Sequence, residues 1–203
     1  FGNAGTANFV DGTASGSTLQ GSGTFTNSGA INHATNTSND NFKIYDSVSF
    51  VNAASGMITI SAGGDFELGG SGSLDNQGTI QKTSGTQGGS NDPSYIFSYG
   101  GRFTNSGTLQ VDAGHLNVAG GTASPGYVST GGNFVTTGTG LLSFSGKWTE
   151  LTGVSSIGGN DIAFSNENPA NTTGSQFTAS EATTILNVSG DGLLWENATI
   201  DLA

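Results

Sequence analysis

Asp65 and Glu67 stand two residues apart, so on a strand their carboxylates project from the same face. Such a pair is the minimum for acid–base cleavage of a glycosidic bond, or for part of a calcium site. The rest of the chain does not extend it. Asp46 and Asp75 stand elsewhere on the repeats described below, and no carboxylate column recurs over three of them. His33 and His115 have no partner at ligand spacing, which leaves zinc without a site, and "GHLNV" places His115 as a solvated residue at a turn before a strand. The absence of cysteine removes disulfides, thiolate ligands and thiol nucleophiles together. Serine is plentiful, but no Gly-x-Ser-x-Gly turn presents one as a nucleophile, and the glycines follow no nucleotide-binding fingerprint. No catalytic, cofactor-binding or metal-binding residue is therefore assigned; the expectation is a protein without a cofactor that is not an enzyme.

Two other residue sets could carry surface chemistry. Thr6, Thr79 and Thr108 each follow a recurring glycine and are expected to face outward, where a flat hydroxyl array could meet ice or crystalline polysaccharide. Ala30 and Met57 interrupt that column, and outward threonine is favourable in any strand. Sequons begin at Asn36, Asn171, Asn187 and Asn197, of which Asn36 and Asn171, in polar stretches, are the better glycosylation candidates.

Charge narrows the partners. The 203 residues include 4 basic and 15 acidic side chains, a net charge of −11, and the basic ones (Lys43, Lys82, Arg102, Lys147) are scattered. Nucleic acid and anionic membranes both require clustered positive charge, so neither is expected. No apolar run approaches the roughly 20 residues of a membrane-spanning helix, and membrane insertion is not expected.

The elements that hold these residues follow from a repeat. "GSGTFTNSGAI" (residues 21–31) returns as "GGRFTNSGTLQV" (residues 100–111). The phrase aromatic/aliphatic-x-Asn recurs at Phe1/Asn3, Phe25/Asn27, Phe50/Asn52, Leu74/Asn76 and Phe103/Asn105, with asparagine steps of 24, 25, 24 and 29 residues. A weaker copy is Trp195/Asn197. Other columns align on the same origin: Leu19, Ile44, Leu68 and Phe97 eight residues earlier, and Ser17, Phe42, Phe66 and Tyr95 ten earlier. Between the apolar pairs lies a glycine-rich corner, and after each asparagine come a second glycine and an aliphatic strand.

Three short strands per ~24 residues describe one coil of a parallel β-helix. The expected fold is all-β, a β-solenoid of about eight coils forming one domain over residues 1–203, regular over 1–118 and less so over 119–203. Phe1, Phe25, Phe50, Leu74 and Phe103 should stack in the core. Asn3, Asn27, Asn52, Asn76 and Asn105 should form an inward ladder of amides, with the following glycine permitting a tight turn. On the outer face, Thr18, Lys43, Glu67 and Ile96 should be lateral neighbours. "TSGTQGGSNDPSYI" is read as a protruding loop and "NHATNTSNDN" (residues 32–41) as a polar corner.

The phrases "LDNQGTIQ" and "FTNSGTLQVDAGHLNVAGG" resemble repeats of large secreted bacterial surface proteins, namely autotransporter passengers and filamentous-haemagglutinin-like adhesins. The resemblance is clear over residues 1–118. It implies a right-handed helix and an extracellular or cell-surface role as stalk, adhesin segment or filament component, and it supplies no catalytic residues. The chain opens on a fresh copy of the motif, with no capping helix evident at either end. Uncapped strand edges predict self-association end to end, or continuation in a longer chain. The alternative function is a polysaccharide-binding or polysaccharide-cleaving β-helix, with carbohydrate as partner.

Overall fold

The computed structural model describes residues 1–10, 16–35, 41–85, 94–120, 127–146, 149–158, 162–165, 175–179, 188–189, 193–196 and 198–202. Among these residues all regular structure is strand. The first coil holds β1 (Gly2–Asn3), β2 (Thr6–Val10) and β3 (Ser17–Leu19). The second holds β4 (Ser22–Asn27), β5 (Ala30–Thr35) and β6 (Asn41–Ile44); the third, β7 (Ser47–Asn52), β8 (Met57–Ala62) and β9 (Asp65–Gly69). The fourth holds β10 (Ser73–Asn76), β11 (Thr79–Lys82) and β12 (Ser94–Tyr99). The fifth holds β13 (Arg102–Asn105) and the long β14 (Thr108–Gly120).

Each strand pairs in parallel with its counterpart one coil on. Three parallel sheets result. The first contains β1, β4, β7, β10 and β13; the second, β2, β5, β8, β11 and the start of β14; the third, β3, β6, β9, β12 and the end of β14. The protein is thus a parallel β-solenoid. Among the described residues about five turns are regular, against the eight expected. After Gly120 the phrases are harder to count because strand and corner merge: β15 (Tyr127–Gly146) is continuous yet pairs in turn with β13 and both parts of β14, with positive φ at Gly132 and Gly138, and β16 (Thr149–Gly158) follows it. Parallel pairing continues through β17 (Ile162–Ser165), β18 (Ser175–Ala179), β19 (Val188–Ser189), β20 (Leu193–Glu196) and β21 (Ala198–Leu202).

Alternation of inward and outward residues builds the core. In β7 the side chains of Val48, Phe50 and Asn52 are buried while those between them are not. Phe25, Phe50, Leu74 and Phe103 share one register column, and Ile31, Ile58, Ile80 and Leu109 another. All eight are buried, and each contributes about 1.5–3 kcal/mol by leaving water. Phe1 departs from the expected core stack. Its ring lies 5.4 Å from that of Phe25, but the residue is 95% exposed.

The third sheet corrects the expected register. Lys43 does pair with Glu67, and Thr18 with Lys43. One coil further, however, Glu67 pairs with Phe97 and Phe66 with Ile96. Ile96 is therefore buried, whereas Tyr95 and Phe97 leave the core face. A one-residue slip exchanges the two faces of a strand, and the slip falls where the coil is longest. Trp195 is also displaced from its expected column. It pairs with Phe164, which continues the line Ile96, Val118 and Phe144, so "WENATIDLA" does not resume the asparagine phrase in register.

The glycines divide by cause. The corner equivalent in Gly21, Asp46, Gly70 and Gly100 has positive φ in each of the first four coils (107°, 60°, 64° and 87°), as glycine tolerates best. The glycine after each asparagine has a different reason. A Cβ on Gly107 would lie 2.1 Å from the Gly78 carbonyl oxygen, and one on Gly29 equally close to that of Gly5. Close stacking of coil on coil, rather than a left-handed turn, excludes a side chain at both positions.

Candidate functional site

The asparagine column is the most ordered polar arrangement in the molecule. Nδ2 of Asn3 donates to Oδ1 of Asn27 (2.9 Å), Asn27 to Asn52 (2.8 Å), Asn52 to Asn76 (2.7 Å) and Asn76 to Asn105 (2.6 Å). Asn27, Asn52, Asn76 and Asn105 are buried, and every bond runs in the same direction along the axis. The chain of amides ends where the next coil places Thr130 opposite Asn105; there Asn105 donates instead to the carbonyl of Gly131 at 2.6 Å. Second amide hydrogens reach backbone carbonyls, as from Asn52 to Thr79 at 3.2 Å. Each buried amide thus satisfies the corner that it occupies and links it to the next coil.

The carboxylate pair of the third sheet is split by its surroundings. Asp65 is buried, and its Oδ1 accepts the Tyr95 backbone N–H at 2.7 Å. Burial pushes its carboxyl up to about 7, against the opposing pull of that N–H and of the Lys82 charge. Glu67 remains on the outer face. Its Oε1 accepts the Tyr45 hydroxyl, its Oε2 accepts the Asn41 amide at 2.9 Å, and Lys43 Nζ stands 3.9 Å away. Desolvation and Glu67 together push the Tyr45 phenol up to about 12. The two acids share a strand without sharing an open cleft.

The histidines are interior. His115, expected in solvent, is buried with Nε2 2.6 Å from Ser143 Oγ; burial, then the Lys82 charge, lowers its pKa to about 4. The residue lies within β14, and the next coil covers it. His33 is buried in β5, which runs to Thr35, rather than in a polar corner. Its Nε2 lies 3.0 Å from the carbonyl oxygen of Asp65, and its ring packs edge-on against Phe66 at 5.3 Å. Lys82, between Ile60 and Val111 in its column, is fully buried, with Nζ donating to the Ser84 carbonyl at 2.8 Å. An inward lysine in a strand that otherwise alternates Ile-Gln-Lys carries no sequence signal of burial beyond that alternation.

No family model, curated protein or solved structure matches the chain. Geometry alone must therefore assign the chemistry. Among the described residues, no three His, Asp or Glu side chains converge where a metal could be held. Thr6, Ala30, Met57, Thr79 and Thr108 do align in one column of the second sheet, interrupted as the spacing indicates. Asn36 and Asn171, together with the centre of "TSGTQGGSNDPSYI", lie outside the described residues.

Proposed function

We propose that this protein is a structural β-solenoid that works outside the cell as a rod: a surface stalk, an adhesin segment or a subunit of a head-to-tail filament. The observation that supports this reading is the stacking of like on like. Four consecutive amide–amide bonds and a column of rings run parallel to the axis, so bending the rod would strain every coil at once. The acid–base alternative lacks such support, because Asp65 is buried and its carboxylate is taken up by the Tyr95 backbone N–H.

The face formed by β1, β2 and β3 offers a means of assembly. β1, β2 and β3 each pair with a single neighbouring strand. Beside them Phe1, Leu19, Phe25 and Val48 line a hollow of about 330 Å³. Unpaired parallel edges over an apolar hollow are what a further coil would cover, whether supplied by a longer chain or by another copy. Electron microscopy of the purified protein tests the reading. Rods or fibres one solenoid wide, shortened by Phe1→Asp, are expected; compact particles at every concentration would refute it.

A further inference from the structure

We infer that the outer face of the third sheet, around Tyr45, Glu67, Phe97 and Tyr99, is a binding site for a neutral polysaccharide. The site lies on the flank of the solenoid, not on the face formed by β1, β2 and β3, and does not depend on whether the protein forms rods.

The one-residue slip in β12 creates it. Turning Ile96 inward sends Tyr95, Phe97 and Tyr99 outward as a row, with ring centroids 5.4 and 5.3 Å apart. Phe97 is half-buried and Tyr99 is 58% exposed, so the row presents contiguous aromatic surface to solvent, as binding faces do. Directly beside Tyr99 in register is Gly69, and over Gly69 lies the ring of Tyr45: a Cβ there would meet Tyr45 Cε1 at 2.2 Å. The missing side chain seats the Tyr45 ring against the backbone. Its hydroxyl is anchored by Glu67, which Asn41 also holds at 2.9 Å. Rigid rings with a few fixed hydroxyl, amide and carboxylate groups between them are the components of a site for a ligand that is apolar on its faces and hydroxylated at its edges.

The fold and the charge select among occupants. β12 is paired on both sides, by β9 and β14, so a peptide cannot add as a strand and would have to bind through side chains alone. Lys43 is already 3.9 Å from Glu67, and the chain carries a net charge of −11, so an anionic polymer would be repelled. A neutral glycan satisfies both conditions.

The test is retention of the whole protein on insoluble cellulose, chitin and mannan, with the anionic polymer dextran sulfate as a soluble competitor. Retention on at least one neutral polysaccharide is expected, unaffected by the competitor, with Tyr99→Ala and Tyr45→Ala each at least tenfold weaker. Met57→Ala, which alters an exposed residue of the second sheet, should bind as the parent does, and circular dichroism should show each variant folded. Failure of the parent to bind all three would overturn the inference. So would binding that Tyr99→Ala leaves unchanged, binding that dextran sulfate abolishes, or a parent dimer that Tyr99→Ala dissociates without any polysaccharide retention.

Discussion

Asn52 and Asn76 are joined by a 2.7 Å hydrogen bond along the solenoid axis, from Nδ2 of one coil to Oδ1 of the next, with both side chains shielded from water. Asn52 in turn accepts from Asn27 at 2.8 Å, so a single residue serves two others. Replacing it by alanine leaves a donor on one side and an acceptor on the other, each costing about 1–3 kcal/mol when buried without a partner. Asn52→Ala should therefore lower stability by about 2–5 kcal/mol in urea unfolding. Asn3→Ala, at the half-exposed start of the ladder, should cost under about 1 kcal/mol.

Asn52→Asp separates the ladder from mere packing. An ionised aspartate has no hydrogen to donate to Asn76 and places charge in the core. Its stability deficit should be larger at neutral pH than at pH 4, where the introduced carboxyl, raised by burial, regains a proton. A deficit independent of pH would argue against residue 52 being a buried hydrogen-bond donor.

Gly107 and Gly21 predict different failures. Alanine at Gly107 would press a methyl group against the Gly78 carbonyl, 2.1 Å away, whereas at Gly21 nothing lies within 4 Å and the strain is that of φ +107° alone. Gly21→Ala should cost about 1–2 kcal/mol. Gly107→Ala should cost more, and its loss should be accompanied by reduced amide-exchange protection in both adjoining coils.

Asp65 and His115 oppose one another in their response to acid. Asp65 has a folded pKa of about 7 against 3.8 in the unfolded chain, so it holds a proton in the fold that the unfolded state has released. Its contribution falls as pH rises from about 4 to 7. His115 has a folded pKa of about 4 against 6.5, so over that interval its contribution rises with pH. The parent should show a shallow stability profile between pH 4 and 6.5. Asp65→Asn should expose a loss of stability on acidification, and His115→Gln a gain, both measurable by urea midpoints.

Lys43 and Glu67 illustrate how little an outer pair contributes. At 3.9 Å, a long separation with the lysine partly in water, the ion pair is worth about 0–1 kcal/mol, so Lys43→Ala should be nearly neutral. Glu67→Gln should matter in another way. By removing the charge beside Tyr45, it should bring the highest-pH phenol transition down from about 12 in an absorbance titration.

Much of the architecture was legible in residue spacing because stacking imposes equivalence. Phe25 must match Phe50, and Asn27 must match Asn52, when their backbones are hydrogen-bonded in register. Such columns survive as a period that can be counted. The same spacing misled in the third sheet, where Tyr95, Ile96 and Phe97 are all large and alternation cannot choose which faces inward. The choice was made by backbone contacts, among them the Tyr95 N–H on Asp65.

From the chain alone came the parallel solenoid of three strands per coil, the lateral pairing of Lys43 with Glu67, and a charge unsuited to nucleic acid. The folded structure decided the burial of Asp65, Lys82 and His115, the exposure of Phe1, and the outward row of Phe97 and Tyr99 beside Tyr45. The division has a physical cause. A repeat period records what neighbouring coils demand of each other at every turn, whereas the environment of a single side chain depends on local departures such as the slip in β12, which occur once.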